Sequence, residues 1–291
     1  MKRFHNRRRR RCLRWVLLGL LLILMILLLQ QNVLLDTASR HAALLDVQSG
    51  QLIARKRANE RAAPASLTKL MTVLLAAELE PDLEEPVTLP EEIFPALYRE
   101  NASMAGFAPG ETVTVRDLLY GAMLPSGAEC CEALARKVSG SRDAFVAQMN
   151  RKAAELGMKN THFANPTGLP DPEHYSSAED LAVLLRAALQ NETFRTVLTT
   201  RNYVSTATAV HPDGLSMTST LLGKLDGSEL PNGRILGGKT GYTSEAGLCL
   251  ASLAEVNGKE YLLVTLGAPG DHTTAQTNLQ DAIKVYRKLG K

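Results

Sequence analysis

The N-terminal segment constrains this chain most, because it determines on which side of a membrane the rest folds. Residues 1–14 carry eight cations and no acid. An uncharged apolar run, WVLLGLLLILMILLL, follows over residues 15–29. A basic flank before an apolar stretch predicts export. The run is short for a membrane-spanning helix, and a secretory signal peptide has the same layout, so a cleavage site has to distinguish the two.

The region after the apolar run favours an uncleaved anchor. It contains no Ala-x-Ala motif, and its best small pair, Thr37 and Ser39, lies within a few residues of the first predicted strand. By the positive-inside rule, the basic cluster then stays in the cytoplasm and the chain from about residue 35 lies outside. A single N-terminal pass through the cell membrane is expected, and secretion after cleavage is the alternative.

The charge of the exported part argues against nucleic acid as a partner. The whole chain has a formal net charge of +3, but without residues 1–14 the net charge is −5. No basic domain therefore follows the arginine cluster. With 45% hydrophobic and 22% charged residues, the chain is typical of a globular protein with one core. We expect a basic tail and anchor over residues 1–35 and one folded domain over residues 36–291.

Patterns of apolar and turn residues predict a largely antiparallel sheet to which both ends of the chain contribute strands. Residues 41–56 read as a hairpin, and residues 247–256 and 260–267 as another, joined by the turn pair Asn257-Gly258. Helical periodicity appears in residues 64–80, 115–123, 129–138, 142–156, 178–190 and 274–289. The predicted fold class is α/β, of the α+β kind, with a helical subdomain and helices flanking the sheet.

Cysteines and histidines indicate neither a disulfide framework nor a metal site. Three cysteines, Cys130, Cys131 and Cys249, would lie outside the membrane; two of them are adjacent, so free buried thiols are expected. The histidines show no H-x-x-x-H or H-x-H spacing. We expect no metal and no cofactor, and interpret His162 and His174 as residues that anchor a loop.

Three short motifs occur in order: Ser66-Leu67-Thr68-Lys69, Ser126-Gly127-Ala128 and Lys239-Thr240-Gly241. Each alone has an ordinary explanation as a helix cap, a turn or a strand end. Their settings are more specific: the first begins a predicted core helix, the second follows Pro125 between two helices, and the third lies in a strand-like segment. Such an ordered set is typical of serine β-lactamases and penicillin-binding proteins.

The chemistry of these residue types is nucleophilic catalysis. A serine hydroxyl needs a base to take its proton, and residues three apart on a helix share a face, so Lys69 can reach Ser66. Lysine is a base only when partly neutral, and burial together with a neighbouring cation, here Lys239, would lower its pKa. Ser126 can relay a proton to the leaving amine. We therefore predict Ser66, Lys69 and Ser126 as catalytic residues.

The third motif is predicted to bind substrate. A cation beside a hydroxyl, Lys239 and Thr240, can hold a carboxylate by charge-assisted hydrogen bonds. The N–H of Ser66, at a helix N-terminus, and the strand N–H just after Gly241 would form an oxyanion hole.

The sequence resembles the serine D-alanyl-D-alanine carboxypeptidases, the low-molecular-mass penicillin-binding proteins of the S11 peptidase type. The resemblance covers about residues 41–268 and rests on the stretches PASLTKLMT (64–72), LGMKNTHF (156–163), NPTGL (165–169), HYS (174–176) and GKTGYT (238–243). It implies a β-lactamase/transpeptidase-like fold and an acyl-enzyme formed on Ser66. It also implies removal of the terminal D-Ala from peptidoglycan stem pentapeptides, and β-lactam antibiotics as covalent inhibitors. The Tyr242 N–H would complete the oxyanion hole.

Two departures from the family pattern leave alternatives open. Ala128 stands where the family usually has asparagine, so a degenerate, non-catalytic envelope protein that binds wall peptides is the second hypothesis. Family members also often carry a C-terminal β-rich domain and an amphipathic membrane anchor, and here the N-terminal hydrophobic segment would replace that anchor. A β-lactamase of the class A type is less favoured, because no Glu-x-x-x-Asn pattern follows Ser126 near residues 165–175.

Overall fold

The computed structural model describes residues 15–21, 35–227 and 229–290, and the main sheet has the two-ended origin that the sequence predicts. The sheet has five strands, whose ranges follow, in the order β2-β1-β9-β8-β7, and all neighbouring strands are antiparallel. The first strand of the chain pairs with the last, so the two ends of the chain meet in the middle of the sheet. The strands span β1 His41–Asp46, β2 Leu52–Lys56, β7 Gly233–Thr243, β8 Gly247–Val256 and β9 Lys259–Ala268. Strand β7 is an edge strand, and it carries the third motif.

The turn between β8 and β9 shows why the hairpin was readable from sequence. Asn257 and Gly258 have φ values of 51° and 73°, the left-handed conformation that a two-residue hairpin turn requires. Asparagine and glycine tolerate that conformation better than other residues do. The predicted hairpins are both confirmed.

Helices cover both faces of the sheet. The helices are α1 Lys69–Leu79, α2 Phe94–Arg99, α3 Val115–Met123, α4 Ala128–Ser139, α5 Arg142–Glu155, α6 Ala178–Ala188, α7 Glu192–Thr199 and α8 Thr277–Leu289. Successive sheet residues alternate between faces, so Ala43 packs in the core beneath the helical subdomain while Leu44 packs in the core beneath α8, against Tyr286. Two short ribbons complete the architecture: β3 Pro86–Thr88 with β4 Thr112–Thr114, and β5 Asn202–Val204 with β6 Ser216–Thr218.

Helix α1 is the central element of the helical subdomain. Eight consecutive residues, Lys69 to Ala76, are buried, so the helix is enclosed on every face. The sequence predicted this helix from residue 64, but the regular α-helix begins only at Lys69, after a 3-10 turn over Ala65–Thr68. The turn matters because it contains Ser66.

The N-terminal end of the described domain is tied to the last helix. The side chain of Asp281 in α8 accepts hydrogen bonds from the backbone N–H groups of Ala38 and Ser39, at 2.8 Å each, and from the Ser39 hydroxyl at 2.6 Å. Leu35 is buried in the core beneath α8. The polypeptide from residue 35 onward is therefore part of the packed domain.

The predicted anchor lies mostly outside the described residues, which include residues 15–21 but not 1–14 or 22–34. Within the part of the chain that the structure describes, no helix has both the length and the apolarity to cross a bilayer. Cys130, Cys131 and Cys249 are buried free thiols, as expected, and Cys12 is not among the described residues.

Candidate active site

The turn that carries Ser66 is held in an unusual backbone conformation. Ala65, the preceding residue, has φ +47°, a left-handed value that costs a non-glycine residue about 1 kcal/mol or more. The hydroxyl of Thr68 donates to the Ala65 carbonyl at 2.8 Å, and Leu67 N–H donates to Pro64 O at 3.2 Å. These contacts hold Ser66 where it lines a cleft, three residues before the regular α-helix begins at Lys69.

Lys69 lies against Ser66 as the spacing predicts. The Nζ–Oγ distance is 3.0 Å, and Nζ also donates to the carbonyl of Thr167 at 2.7 Å. The side chain is buried, and this burial lowers the pKa of Lys69, although the nearby Cys131 and Glu129 oppose the shift. A neutral amine here can accept the serine proton while still donating to Thr167.

A loop to which sequence reasoning gave no role holds Lys69 in place. The side-chain oxygen of Asn165 accepts hydrogen bonds from Thr167 N–H (3.1 Å), the Thr167 hydroxyl (2.9 Å) and Gly168 N–H (2.7 Å). Gly168 has φ +84°, and a Cβ there would lie 1.9 Å from the Ala65 carbonyl oxygen. Only glycine lets this loop pass so close to the Ser66 turn.

His174 stabilises the Ser66 turn through a hydrogen bond to Thr68. Its Nδ1 accepts from Ala164 N–H at 3.0 Å, so Nε2 carries the proton of the neutral ring and donates to the Thr68 hydroxyl at 2.7 Å. Thr68 in turn donates to Ala65 O. His162 Nδ1 lies 2.6 Å from Glu173 O. Both histidines therefore bond to loop backbone, which is consistent with the anchoring role predicted for them, and His174 also reaches the Ser66 turn.

Acid should destabilise the fold through His174. Burial lowers the pKa of His174 from 6.5 to about 4. Between these values the unfolded state binds more protons, so the free energy of unfolding falls by about 3 kcal/mol as pH drops from 6.5 to 4. Urea unfolding against pH measures this, with His174→Asn as the control. The variant should be less stable at pH 7.5 but lose less stability across the window; equal losses would contradict this assignment.

The second motif lies between α3 and α4, as predicted. Ser126 has φ +72° and is 5% exposed, and its Oγ has no hydrogen-bond partner among the described residues. It lines the cleft beside Ser66. Ala128 begins α4, lines the cleft together with Lys69, and donates its backbone N–H to Ser103 O at 2.8 Å. An unpartnered buried hydroxyl is costly, so Ser126 is poised for a group that enters the cleft.

Glu129 is a further residue that sequence reasoning missed. Its Oε1 accepts from the backbone N–H groups of Ala105 at 2.7 Å and Gly106 at 2.9 Å. Burial raises its pKa. The carboxyl joins the second motif to the segment that carries Ser103 along the cleft. A sequence signal existed only in the acidic first turn of α4, which is commonplace at helix N-termini.

In the third motif, Thr240 and Gly241 line the cleft, whereas Lys239 is buried in the core. Thr240, Gly241 and Tyr242 line the cleft with Ser66, and the hydroxyls of Thr240 and Thr220 are 2.7 Å apart. Lys239 is fully buried, and its Nζ donates to Thr240 O at 2.9 Å. Burial, together with the nearby Lys69, holds the pKa of Lys239 well below its usual range. The structure thus brings Lys239 near Lys69, as predicted. The predicted direct contact of Lys239 with substrate does not match this position, because the side chain is fully buried and does not line the cleft.

Strand β7 packs closely on the Ser66 turn, where the sequence predicts an oxyanion hole. A Cβ on Gly241 would lie 3.0 Å from the Ser66 nitrogen, so glycine permits this approach. Ser66 is the second residue of its 3-10 turn, and its N–H has no partner within that turn. Strand β7 lies at one edge of the main sheet. Backbone donors of Ser66 and Tyr242 therefore border the same cleft, which both residues line.

Comparison with known proteins agrees with this geometry. The chain matches the D-alanyl-D-alanine carboxypeptidase family, peptidase S11, over residues 29–270. The D-alanyl-D-alanine carboxypeptidase DacF of Bacillus subtilis is 34% identical over 250 residues, covering 84% of this chain and 61% of that protein. The D-alanyl-D-alanine endopeptidase of Pseudomonas aeruginosa is 32% identical over 261 residues, covering 87% and 78%. The crystal structure of the Streptomyces K15 DD-transpeptidase superposes with a TM-score of 0.76 at 30% identity, covering 87% of this chain and 98% of that one.

The fold is therefore that of the transpeptidase-like serine enzymes, which confirms the predicted fold class. The chain belongs to the S11 family of D-alanyl-D-alanine carboxypeptidases. It spans about three fifths of the Bacillus relative's length, since the matched region covers 61% of that protein.

Proposed function

We propose that this protein is a serine D-alanyl-D-alanine carboxypeptidase that removes the terminal D-Ala from peptidoglycan stem pentapeptides. The observation that carries the proposal is the contact between buried Lys69 and Ser66, with Nζ and Oγ 3.0 Å apart and the lysine pKa lowered by burial. A buried amine next to a serine that lines a cleft is the arrangement that a serine acyl-transfer enzyme needs. No cofactor and no metal enter this mechanism.

The geometry supports an acyl-enzyme pathway. Neutral Lys69 takes the proton of Ser66, whose Oγ attacks the carbonyl carbon of the penultimate D-Ala. The oxyanion that develops accepts hydrogen bonds from the N–H groups of Ser66 and Tyr242. Ser126 passes a proton to the leaving nitrogen of the terminal D-Ala, and the ester on Ser66 then forms. Water hydrolyses this ester, which regenerates the serine.

The relatives are named for three different reactions, so the reaction of this protein has to be decided among the three. The names of the Bacillus, Pseudomonas and Streptomyces proteins state carboxypeptidase, endopeptidase and transpeptidase, respectively. All three can share the acyl-enzyme and differ in the leaving group or in the acceptor of the acyl group. We favour the carboxypeptidase because the hydroxyls of Thr240 and Thr220 meet at the cleft wall, where a terminal carboxylate can accept hydrogen bonds.

D-Ala release from a pentapeptide, compared with cleavage of a cross-linked muropeptide, tests the proposal. We expect release to be faster than cross-link cleavage, together with covalent labelling by a fluorescent penicillin. Labelling without D-Ala release would favour the degenerate binder that Ala128 suggests. Rapid turnover of the penicillin itself would favour the β-lactamase instead.

Introducing the family's asparagine at Ala128 should raise the acylation rate. The added amide supplies one or two hydrogen bonds to the substrate, a gain on the order of 1–3 kcal/mol, or roughly ten- to a hundredfold in rate. Stopped-flow acylation by a penicillin measures this for Ala128→Asn, with Ala128→Leu as a control that fills volume without a polar group. A lower rate in Ala128→Asn would mean that the pocket is built around alanine.

We further propose that the domain is held at the outer face of the cell membrane by an uncleaved N-terminal segment. Burial of Leu35 and the contacts of Asp281 with residues 38 and 39 support this, because cleavage at the small pair Thr37 and Ser39 would cut a packed segment. Intact-mass spectrometry of protein extracted from membranes should find residues 1–34 attached. A mature chain that begins near Arg40 would contradict the anchor.

A further inference from the structure

The cleft that Ser66 lines contains a third lysine, Lys224, to which no role has been given. Lys224 ends a 3-10 turn, Leu222–Lys224, and lines the cleft with Ser126, Thr220 and Thr240. Its Nζ donates to the side-chain oxygen of Gln276 at 2.9 Å. Among the described residues, no carboxylate lies within ion-pair distance of this ammonium group. The cation therefore faces the cleft without a counter-charge.

The other lysines of the site are engaged elsewhere. Lys239 is fully buried and donates to Thr240 O, and Lys69 donates to Ser66 and Thr167. Lys224 is exposed, so an entering anion can reach it without displacing the packed core. An ammonium group has three donors, and the bond to Gln276 uses one, which leaves two for a ligand.

The hydroxyls of Thr220 and Thr240, which line the same cleft as Lys224, add a neutral donor. Thr220 Oγ1 and Thr240 Oγ1 are 2.7 Å apart, so one donates to the other. The hydroxyl that accepts this bond keeps its own hydrogen for a further acceptor. A carboxylate at this point of the cleft would meet a cation and a hydroxyl together, and such charge-assisted bonds are the strong ones.

We infer that Lys224, rather than Lys239, is the cation that binds the terminal carboxylate of the substrate, with the Thr220–Thr240 pair as its neutral partner. The inference rests on the proposed carboxypeptidase function and identifies the residue that selects a free C-terminus. Lys239, which is buried beneath the cleft, then positions the strand that carries Thr240 through its hydrogen bond to Thr240 O.

The test compares a pentapeptide with a free terminal carboxylate and the same peptide as its C-terminal amide. In the parent enzyme the free acid should have the higher kcat/KM. Lys224→Met should lower kcat/KM for the free acid roughly ten- to a hundredfold, mainly through KM, and reduce the preference for the acid over the amide. Lys224→Arg should keep most of that preference. Lys259→Met, which removes an exposed charge from the start of β9, should leave both substrates unaffected.

A binding measurement separates this inference from the proposed function. In a Ser66→Ala background, calorimetry gives the affinity for the free acid and for the amide without turnover. Adding Lys224→Met should weaken binding of the free acid about tenfold or more and leave the amide within about twofold. An unchanged preference for the acid, or a parent that shows none, would overturn the role of Lys224. D-Ala release by the parent enzyme would still support the carboxypeptidase in either case.

Discussion

Replacing Ser66 by alanine is expected to abolish both covalent penicillin labelling and D-Ala release. This substitution removes only the hydroxyl group, and in the acyl-enzyme pathway the oxygen of that group forms the ester. The unfolding temperature should stay within a few degrees of the parent value, because one partly exposed hydroxyl contributes little to packing. Gel fluorescence after incubation with a labelled penicillin, together with a thermal melt, measures both effects.

Ser126→Ala is the matched control for that experiment. It removes a serine hydroxyl from the same cleft but leaves Ser66 and Lys69 in place, 3.0 Å apart. Labelling should therefore persist in Ser126→Ala, at a reduced rate. Labelling that survives in Ser66→Ala and disappears in Ser126→Ala would assign the nucleophile to the second motif.

Removing the amine of Lys69 should reduce acylation nearly as much as removing Ser66. General-base assistance is worth roughly 10²–10⁴ in rate, so Lys69→Ala should lose on the order of a thousandfold. The double variant with Ser66→Ala should be no worse than Ser66→Ala alone, since the two residues act as a unit. Single-turnover acylation kinetics measure this loss.

Lys69→Arg distinguishes a base from a mere charge. Arginine keeps the positive charge but stays protonated, so it cannot accept the serine proton. We expect it to be as inactive as Lys69→Ala. In the parent enzyme, the acylation rate should rise with pH as Lys69 loses its proton, with a midpoint below the ordinary lysine value, because burial lowers this pKa. An active arginine variant would show that charge alone suffices.

Much of the site was readable from sequence because it lies on local structure. Ser66 and Lys69 are three residues apart at a helix start, and such residues meet whatever the rest of the fold does. Ser126 follows a proline between two amphipathic helices, so its place on a loop was also local information. The sheet was predictable where alternation and the Asn257-Gly258 turn coincide.

What could not be predicted depends on contacts between distant segments. Lys239 was expected to face the substrate, but the depth of a side chain beneath a cleft depends on how β7 packs against the Ser66 turn and α7. Lys224 carried no signal, because a lysine beside a glycine in a short turn is commonplace. Sequence reasoning gave Asn165 no role and His174 only a loop-anchoring role. The bond between His174 and Thr68, and the bond from Lys69 to Thr167, each join positions about a hundred residues apart, so no local pattern predicts them.

Locating the acyl group on the protein tests the central claim most directly. Acid-quenched protein that has reacted with a penicillin can be digested with trypsin and the adduct assigned by tandem mass spectrometry. The account predicts the added mass on the peptide of residues 62–69, AAPASLTK, at Ser66. The peptide of residues 117–136, which contains Ser126, should be unmodified. An adduct on that second peptide, or an unmodified peptide 62–69 in fully labelled protein, would contradict the mechanism.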